Sequence, residues 1–205
     1  MGANYVEGSI TTCHSTCSVS GDDCVGGLVG NNDGMMTKCY STGNVDGNDY
    51  VGGLVGKNCA DGMIRDCYST GSVSGGSYIG GLVGIVDGEI EDCYSKGSVV
   101  GMGLYVGGLV GYKKEEGLLM YSFWDIETSG QSKSYVGISK KTAEMKTMST
   151  FTKAGWDFIE IWDIGENQTY PFLRDTVAGD LNHDRKVNLI DLAILASQWL
   201  EDNNL

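Results

Sequence analysis

The sequence predicts an all-β fold, a parallel β-helix of about four to five coils with an aromatic C-terminal cap and a short C-terminal α-helix. Three observations predict it. The first is the hexapeptide Val25-Gly26-Gly27-Leu28-Val29-Gly30, which returns at Val51 to Gly56, Ile79 to Gly84 and Val106 to Gly111, at offsets of 26, 28 and 27 residues. A fixed period of this size marks units that cannot bury an apolar face alone and must stack on their neighbours. The second is a cysteine-centred segment in step with it: Cys13-His14-Ser15-Thr16, Cys39-Tyr40-Ser41-Thr42, Cys67-Tyr68-Ser69-Thr70 and Cys93-Tyr94-Ser95-Lys96. The third is local composition. Each unit offers short apolar, β-branched runs broken by Gly, Ser, Asn and Asp, where a helical repeat would need ten or more helix formers in a row.

The elements follow from that period. The pieces ending in Cys-Tyr-Ser, the Val-Gly-Gly-Leu-Val segment and the stretch around a Gly-x-apolar landmark (Gly8/Ile10, Gly34/Met36, Gly62/Ile64, Gly88/Ile90, Gly117/Leu119) give two or three short strands per coil. Each strand pairs in parallel with its copy one coil on, so equivalent residues stack at roughly 4.8 Å. The expected interior is a set of ladders: Leu28/Leu54/Leu82/Leu109, Val29/Val55/Val83/Val110, Val25/Val51/Ile79/Val106 and Ile10/Met36/Ile64/Ile90/Leu119. A slip of one residue would exchange the faces, so which ladders point inward is left open by the pattern. A fifth, altered copy runs through Ser122-Phe123-Trp124, with Ser122 on the cysteine rung.

Three segments are delimited: repeats over 1–121, a capping segment over 122–176 and a tail over 177–205. The last coil of a solenoid exposes an edge strand and an apolar cross-section, and Phe123, Trp124, Phe151, Trp156, Phe158, Trp162, Tyr170 and Phe172 supply the bulk to plug it. A carbohydrate platform is the alternative use of these rings. Thr142 is placed to cap a short helix reaching about Met148, with Ala143 and Glu144 in its first turn. In the tail, Asp180, Asn182, Asp184, Asn188 and Asp191 stand at positions 1, 3, 5, 9 and 12 of a calcium loop, with the Lys186 carbonyl at position 7. Ca²⁺ takes six to eight hard oxygen ligands, and alternate inward side chains closed by a carboxylate at a helix start provide them. Leu192, Ile194, Leu195, Trp199 and Leu200 then recur at roughly helical spacing.

Composition sets the exclusions. There are 32 glycines and one proline in 205 residues, so corners are many and ladder donors are kept. The formal charge of −13 argues against nucleic acid and anionic membranes as partners, since both require clustered Lys and Arg. No window reaches the roughly 18 apolar residues of a membrane span. No signal peptide opens this sequence, and because it starts inside a repeat we expect the C-terminal piece of a longer exported protein. Of the seven cysteines, four share one stacking column, where Cβ atoms near 4.8 Å apart are too distant for a disulfide; they are expected to be reduced packing residues, while Cys13, Cys17, Cys24 and Cys59 leave bridges at the open end undetermined. The glycine pattern is not a nucleotide loop, and His14 and His183 sit in no triad arrangement, so no catalytic residues are assigned and no enzyme is expected.

The Gly27-Leu28-Val29-Gly30 core and its three copies resemble the GLUG motif, a repeat of bacterial surface proteins. The segment from Ser122-Phe123-Trp124-Asp125 to Tyr170-Pro171-Phe172-Leu173 is similar to the stretch that closes such arrays. The resemblance implies export and surface display, with the repeats non-catalytic. The tail, Gly179-Asp180-Leu181-Asn182 through Asp191-Leu192, resembles one half of a type I dockerin, which implies calcium binding and a cohesin-like or cell-surface partner. It departs in having one loop where a dockerin has two, and in carrying Arg185 at the usual glycine position. The expected function is a non-catalytic extracellular or cell-surface adhesion or scaffold protein with a calcium-dependent attachment tail. The alternatives are a carbohydrate-binding or carbohydrate-active β-helix module, with a glycan or host-surface ligand, and a self-stacking filament subunit. The acidic residues Asp46, Asp49, Asp61, Asp66, Asp87 and Asp92 lack the matching basic column that a carbohydrate-degrading β-helix would need.

Overall fold

The computed structural model describes residues 2–174 and 192–194. The chain divides into two compact units, Met1–Phe172 and Leu173–Leu205, so the repeats and the capping segment share one unit. In the second unit, residues 192–194 are helical and Leu192 is exposed.

The first unit is a parallel β-solenoid of about five turns. One turn consists of Val29–Asn32, Met35–Thr37, Tyr40–Ser41, Val45–Asp46 and Val51–Gly52. That is five strands per turn where the sequence pattern suggested two or three. The difference has a physical cause: most of these strands have only two or three residues, too few to show alternation, and at two of the corners the break is a single left-handed residue. Lys38, Asp66, Asp92 and Tyr121 make one such corner in successive turns, and Tyr50, Tyr78 and Tyr105 another, all with φ between 47° and 63°. Among the described residues the turns pair in parallel at equivalent positions of the repeat, as in Val25↔Val51↔Ile79↔Val106 and Tyr40↔Tyr68↔Tyr94.

Both the leucine and the valine ladders face inward. Gly27 and Leu28 form a corner between Val25–Gly26 and Val29–Asn32, so the alternation of a continuous strand does not separate Leu28 from Val29. Leu54, Leu82, Leu109, Val55, Val83 and Val110 join Met36, Ile64, Ile90 and the cysteines in one buried core. A second core holds Val25, Val51 and Ile79 against Val45, Val73 and Val99.

Three further columns fill the section. Asn4, Asn32 and Asn58 are buried one above another, each Nδ2 donating to the next Oδ1 at 2.8 Å; the next rung is Val86 and the amide of Asn58 turns to the Gly62 and Glu89 carbonyls. Cys39, Cys67 and Cys93 are fully buried, and all seven cysteines are free. Their thiols donate to the carbonyls of Thr37, Arg65 and Glu91 at 3.0–3.2 Å, and burial pushes the Cys67 thiol well up, the environment of an inert packing cysteine. Ser122 takes the cysteine rung and accepts from the Cys93 amide at 3.1 Å. The Ser41, Ser69 and Ser95 side chains lie so close to the second glycine of the hexapeptide that a Cβ on Gly53 would collide with Ser69 Oγ. One turn later Trp124 replaces the serine, and its ring lies on Gly108.

The capping segment does two jobs in two places. Trp124 closes the end of the main core, while Ser134 Oγ accepts from the amides of Leu109 and Val110 and Ile138–Lys140 adds a sixth strand beyond Phe123–Asp125. Phe151 packs on Phe123 of the end strand, as expected, whereas Trp156, Trp162 and Tyr170 return along the flank and pack on the tyrosine column. Trp162 lies 6.1 Å from the Tyr68 ring and 6.2 Å from that of Tyr94, and Tyr94 Oη donates to the Pro171 carbonyl at 2.6 Å. The expected helix is split into Thr142–Met145 and Met148–Thr152. Its cap position is Lys141, whose amide donates to Glu144 at 3.0 Å, because Thr142 spends its hydroxyl on Asp125 at 2.7 Å.

Leu82 is fully buried in the middle of its ladder. Leu82→Ala is expected to lower stability by about 2–5 kcal/mol in urea titration, because neighbouring rungs fixed by strand spacing cannot collapse into the void.

Candidate functional site

Two surfaces of the first unit combine chemistry with exposure. The first is an outer tyrosine ladder. Tyr50 and Tyr78 stack with centroids 4.8 Å apart, Tyr78 and Tyr105 at 5.0 Å. Tyr112 and Tyr135 extend the strip by edge contacts at 4.8 Å, Tyr105 to Tyr112 and Tyr112 to Tyr135. Tyr105 and Tyr135 are 43% and 50% exposed, so the strip meets solvent. Each of Tyr50, Tyr78 and Tyr105 occupies the left-handed region, with φ of 58°, 60° and 63°. For a bulky L-residue that conformation costs roughly 1–2 kcal/mol, and stacking returns only part of it. A strained aromatic held at the surface in three successive turns is a functional candidate.

The second surface is the flank under the returning cap. The inner ladder His14, Tyr40, Tyr68 and Tyr94 stacks at 4.8–5.1 Å, and the cap covers Tyr68 and Tyr94. His14 is therefore a ladder rung, as its repeat position suggested. A cleft of about 430 Å³ opens between ladder and cap, lined by Thr42, Thr70, Lys96, Lys146, Tyr170 and Phe172 among others. Tyr170 is fixed by donating its hydroxyl to Asp125 Oδ2 at 2.6 Å. Asp125 is completely buried and also accepts from the amides of Glu127 and Thr128 and from the Thr142 hydroxyl, so one carboxylate ties the end strand to the cap.

Asp66 and Asp92 occupy equivalent left-handed corner rungs just before the cysteine column. Asp66 accepts from Trp162 Nε1 at 3.1 Å. Burial, then the charges of Asp66 and Glu91, push the Asp92 carboxyl up to about 7, with Arg65 opposing; its Oδ1 is buried without a hydrogen bond. The remaining acids singled out from sequence are dispersed: Asp87 pairs with Lys114 at 2.8 Å, Asp46 faces Ser74, and Asp61 is exposed. Among the described residues, no group of three or more His, Cys, Asp or Glu is placed to hold a metal ion. The expected calcium ligands Asp180, Asn182, Asp184, Lys186, Asn188 and Asp191 lie outside the described residues.

The sequence reading missed the outer tyrosines and the two lysines. Tyr50, Tyr78 and Tyr105 each stand one residue before a hexapeptide, with Cys24 in the same place in the first turn, so extending the repeat upstream by one position would have exposed the column. Lys96 was visible as a departure from Thr16, Thr42 and Thr70, but its meeting with Lys146 was not.

The GLUG motif matches residues 21–46, 47–74 and 75–100. Among curated proteins, a "Putative Gly-rich membrane protein" of Evansella cellulosilytica is 43% identical over 86 residues, a stretch that is 38% of this chain and 10% of that protein. No solved structure matches this chain. Residues 21–100 thus carry three GLUG motifs, and they lie on a β-solenoid. The fourth hexapeptide, beyond the matched residues, keeps the same register through Val83↔Val110. Among the described residues, no helix is long and apolar enough to cross a membrane.

Asp92 gives this flank a pH signature. Its folded-state proton is held up to about pH 7, whereas an unfolded aspartic acid loses it near 3.8; stability from this group is therefore present below that unfolded value and is lost as pH rises through about 7. Asp92→Asn is expected to leave the melting temperature unchanged near pH 4 and to raise stability by on the order of 1–2 kcal/mol at pH 8, after allowance for the group's partial exposure. Parallel melting curves for the two proteins across that range would contradict the assignment.

Proposed function

We propose that the chain is a non-catalytic, extracellular or cell-surface scaffold that adheres to glycan through its outer tyrosine ladder. The observation that carries this reading is the persistence of Tyr50, Tyr78 and Tyr105 in a strained backbone at an exposed corner. Rigid aromatic rings with a polar tip suit sugars and protein surfaces alike, since they offer contact area at little conformational entropy. The description of the Evansella relative as a Gly-rich membrane protein is compatible with surface association. The non-catalytic reading is supported by the dispersal of the acids and by the packing of Asp66 against Trp162. The test is a glycan array and binding to whole cells. Tyr78→Ala combined with Tyr105→Ala is expected to reduce retention at least tenfold with an unchanged circular dichroism spectrum, and undiminished retention would exclude the ladder as the contact.

The tail carries a second part of the proposal. Its oxygen donors at Asp180, Asn182, Asp184, Asn188 and Asp191, with the Lys186 carbonyl, match the hard-ligand preference of Ca²⁺, which would supply the crosslink that orders the loop for attachment to a cohesin-like or cell-surface partner. Arg185, where glycine usually turns the loop, weakens the site. Calorimetry is expected to give a Kd on the order of 10⁻⁴–10⁻³ M, and a chelator is expected to lower helical signal without melting the repeats. Absence of calcium heat would remove this part of the proposal and leave the scaffold reading intact.

A further inference from the structure

The cleft between the inner ladder and the returning cap holds two ammonium groups, those of Lys96 and Lys146, that form no salt bridge among the described residues. Lys96 Nζ lies 4.5 Å and Lys146 Nζ 5.5 Å from the centroid of the Tyr170 ring. The ion pairs among the described residues join other groups, Arg65 with Glu91, Lys114 with Asp87 and Lys140 with Glu144. Asp125 acts on Lys96 through its charge, while its oxygens accept four hydrogen bonds from Glu127, Thr128, Thr142 and Tyr170. Two cations brought into one cleft from residues 50 positions apart outnumber the Asp125 carboxylate whose charge acts on Lys96, and their mutual repulsion is a cost. Ordinary solvation would keep such side chains apart. Here the ring of Tyr170 lies within cation–π range of each, and Asp125 holds Tyr170.

The repeat itself marks the site. The rung after the serine column is Thr16, Thr42 and Thr70, and only in the turn beneath the cap is it lysine, Lys96. Lys96 thus replaces the residue that the architecture accepts elsewhere, at the one rung that Lys146 approaches. Around the two charges, Thr42, Thr70 and Thr169 bring hydroxyls, Gln168 an amide, and Pro171 with Phe172 an apolar wall. The volume of about 430 Å³ lies in the range of small-ligand sites.

We propose that this cleft binds the carboxylate of an acidic sugar residue, a uronate, with Lys96 and Lys146 on the carboxylate and the threonine hydroxyls on the ring hydroxyls. The charges select for an anion, and the hydroxyl and amide rim favours a polyhydroxylated ring over a bare ion. Burial, then the charge of Lys146, lower the Lys96 pKa, with Asp125 opposing. The proposal is independent of the outer tyrosine ladder, which lines a separate surface.

Isothermal calorimetry on the full chain at low ionic strength tests it, with trigalacturonate, neutral galactotriose and inorganic phosphate as probes. Trigalacturonate is expected to bind, galactotriose and phosphate at least tenfold more weakly, and affinity to fall with added salt as the charges are screened. Lys96→Thr restores the residue of the neighbouring turns and so keeps the fold; it is expected to weaken trigalacturonate at least tenfold, while Lys96→Arg retains binding and Tyr78→Ala leaves it unchanged. The proposal is overturned if trigalacturonate gives no heat, if galactotriose or phosphate binds as well, or if Lys96→Thr binds with wild-type affinity.

Discussion

The structure depends on one constraint, the fixed rise between parallel strands. Because every turn sits directly on the last, a side chain at one rung must tolerate a near copy of itself above and below at about 4.8 Å. Leucine, valine and cysteine satisfy this by packing, asparagine by an amide chain, and tyrosine by face-to-face stacking; charged residues satisfy it poorly, and Asp92, whose carboxyl is pushed up first by burial, is pushed up further by the charge of Asp66. Each repeat column is therefore a test of whether a residue type can be its own neighbour.

The same constraint explains the glycines of the hexapeptide. The second one, represented by Gly53 and Gly108, admits a serine or a tryptophan into direct contact with the backbone of another wall. Larger residues there would separate the walls of the coil and open the core. The hexapeptide is thus a spacer that sets the thickness of the solenoid, and this accounts for its near identity through four turns without invoking any ligand.

The coil stacking, the apolar ladders, the reduced cysteines and the place of Ser122 were legible from period alone, since a repeat declares which residues are neighbours. What the period did not declare were contacts between different positions of the repeat and contacts outside it. The asparagine column was overlooked because Asn4, Asn32 and Asn58 are followed by Val86, which breaks the pattern at the fourth turn. The flank position of Trp156 and Trp162 was illegible because it rests on a pairing of Trp162 with Asp66 across 96 residues. The cleft depends on the same return of the chain, so its two lysines could be seen singly but not together. For the outer tyrosines the signal was present, one residue upstream of the motif, and hidden by the habit of reading a repeat only where it is most regular.

The returning cap has a consequence for biogenesis. A solenoid whose turns touch only their neighbours can fold as it emerges from the ribosome, each new turn templated by the one before. Here the flank of Tyr68 and Tyr94 stays uncovered until Trp162 and Pro171 have been synthesised. For the time it takes to translate some 77 residues beyond Tyr94, the nascent protein presents a bare aromatic wall. The interval between the first turns and the closing strap is the period in which this chain is most exposed to misassembly with its own kind.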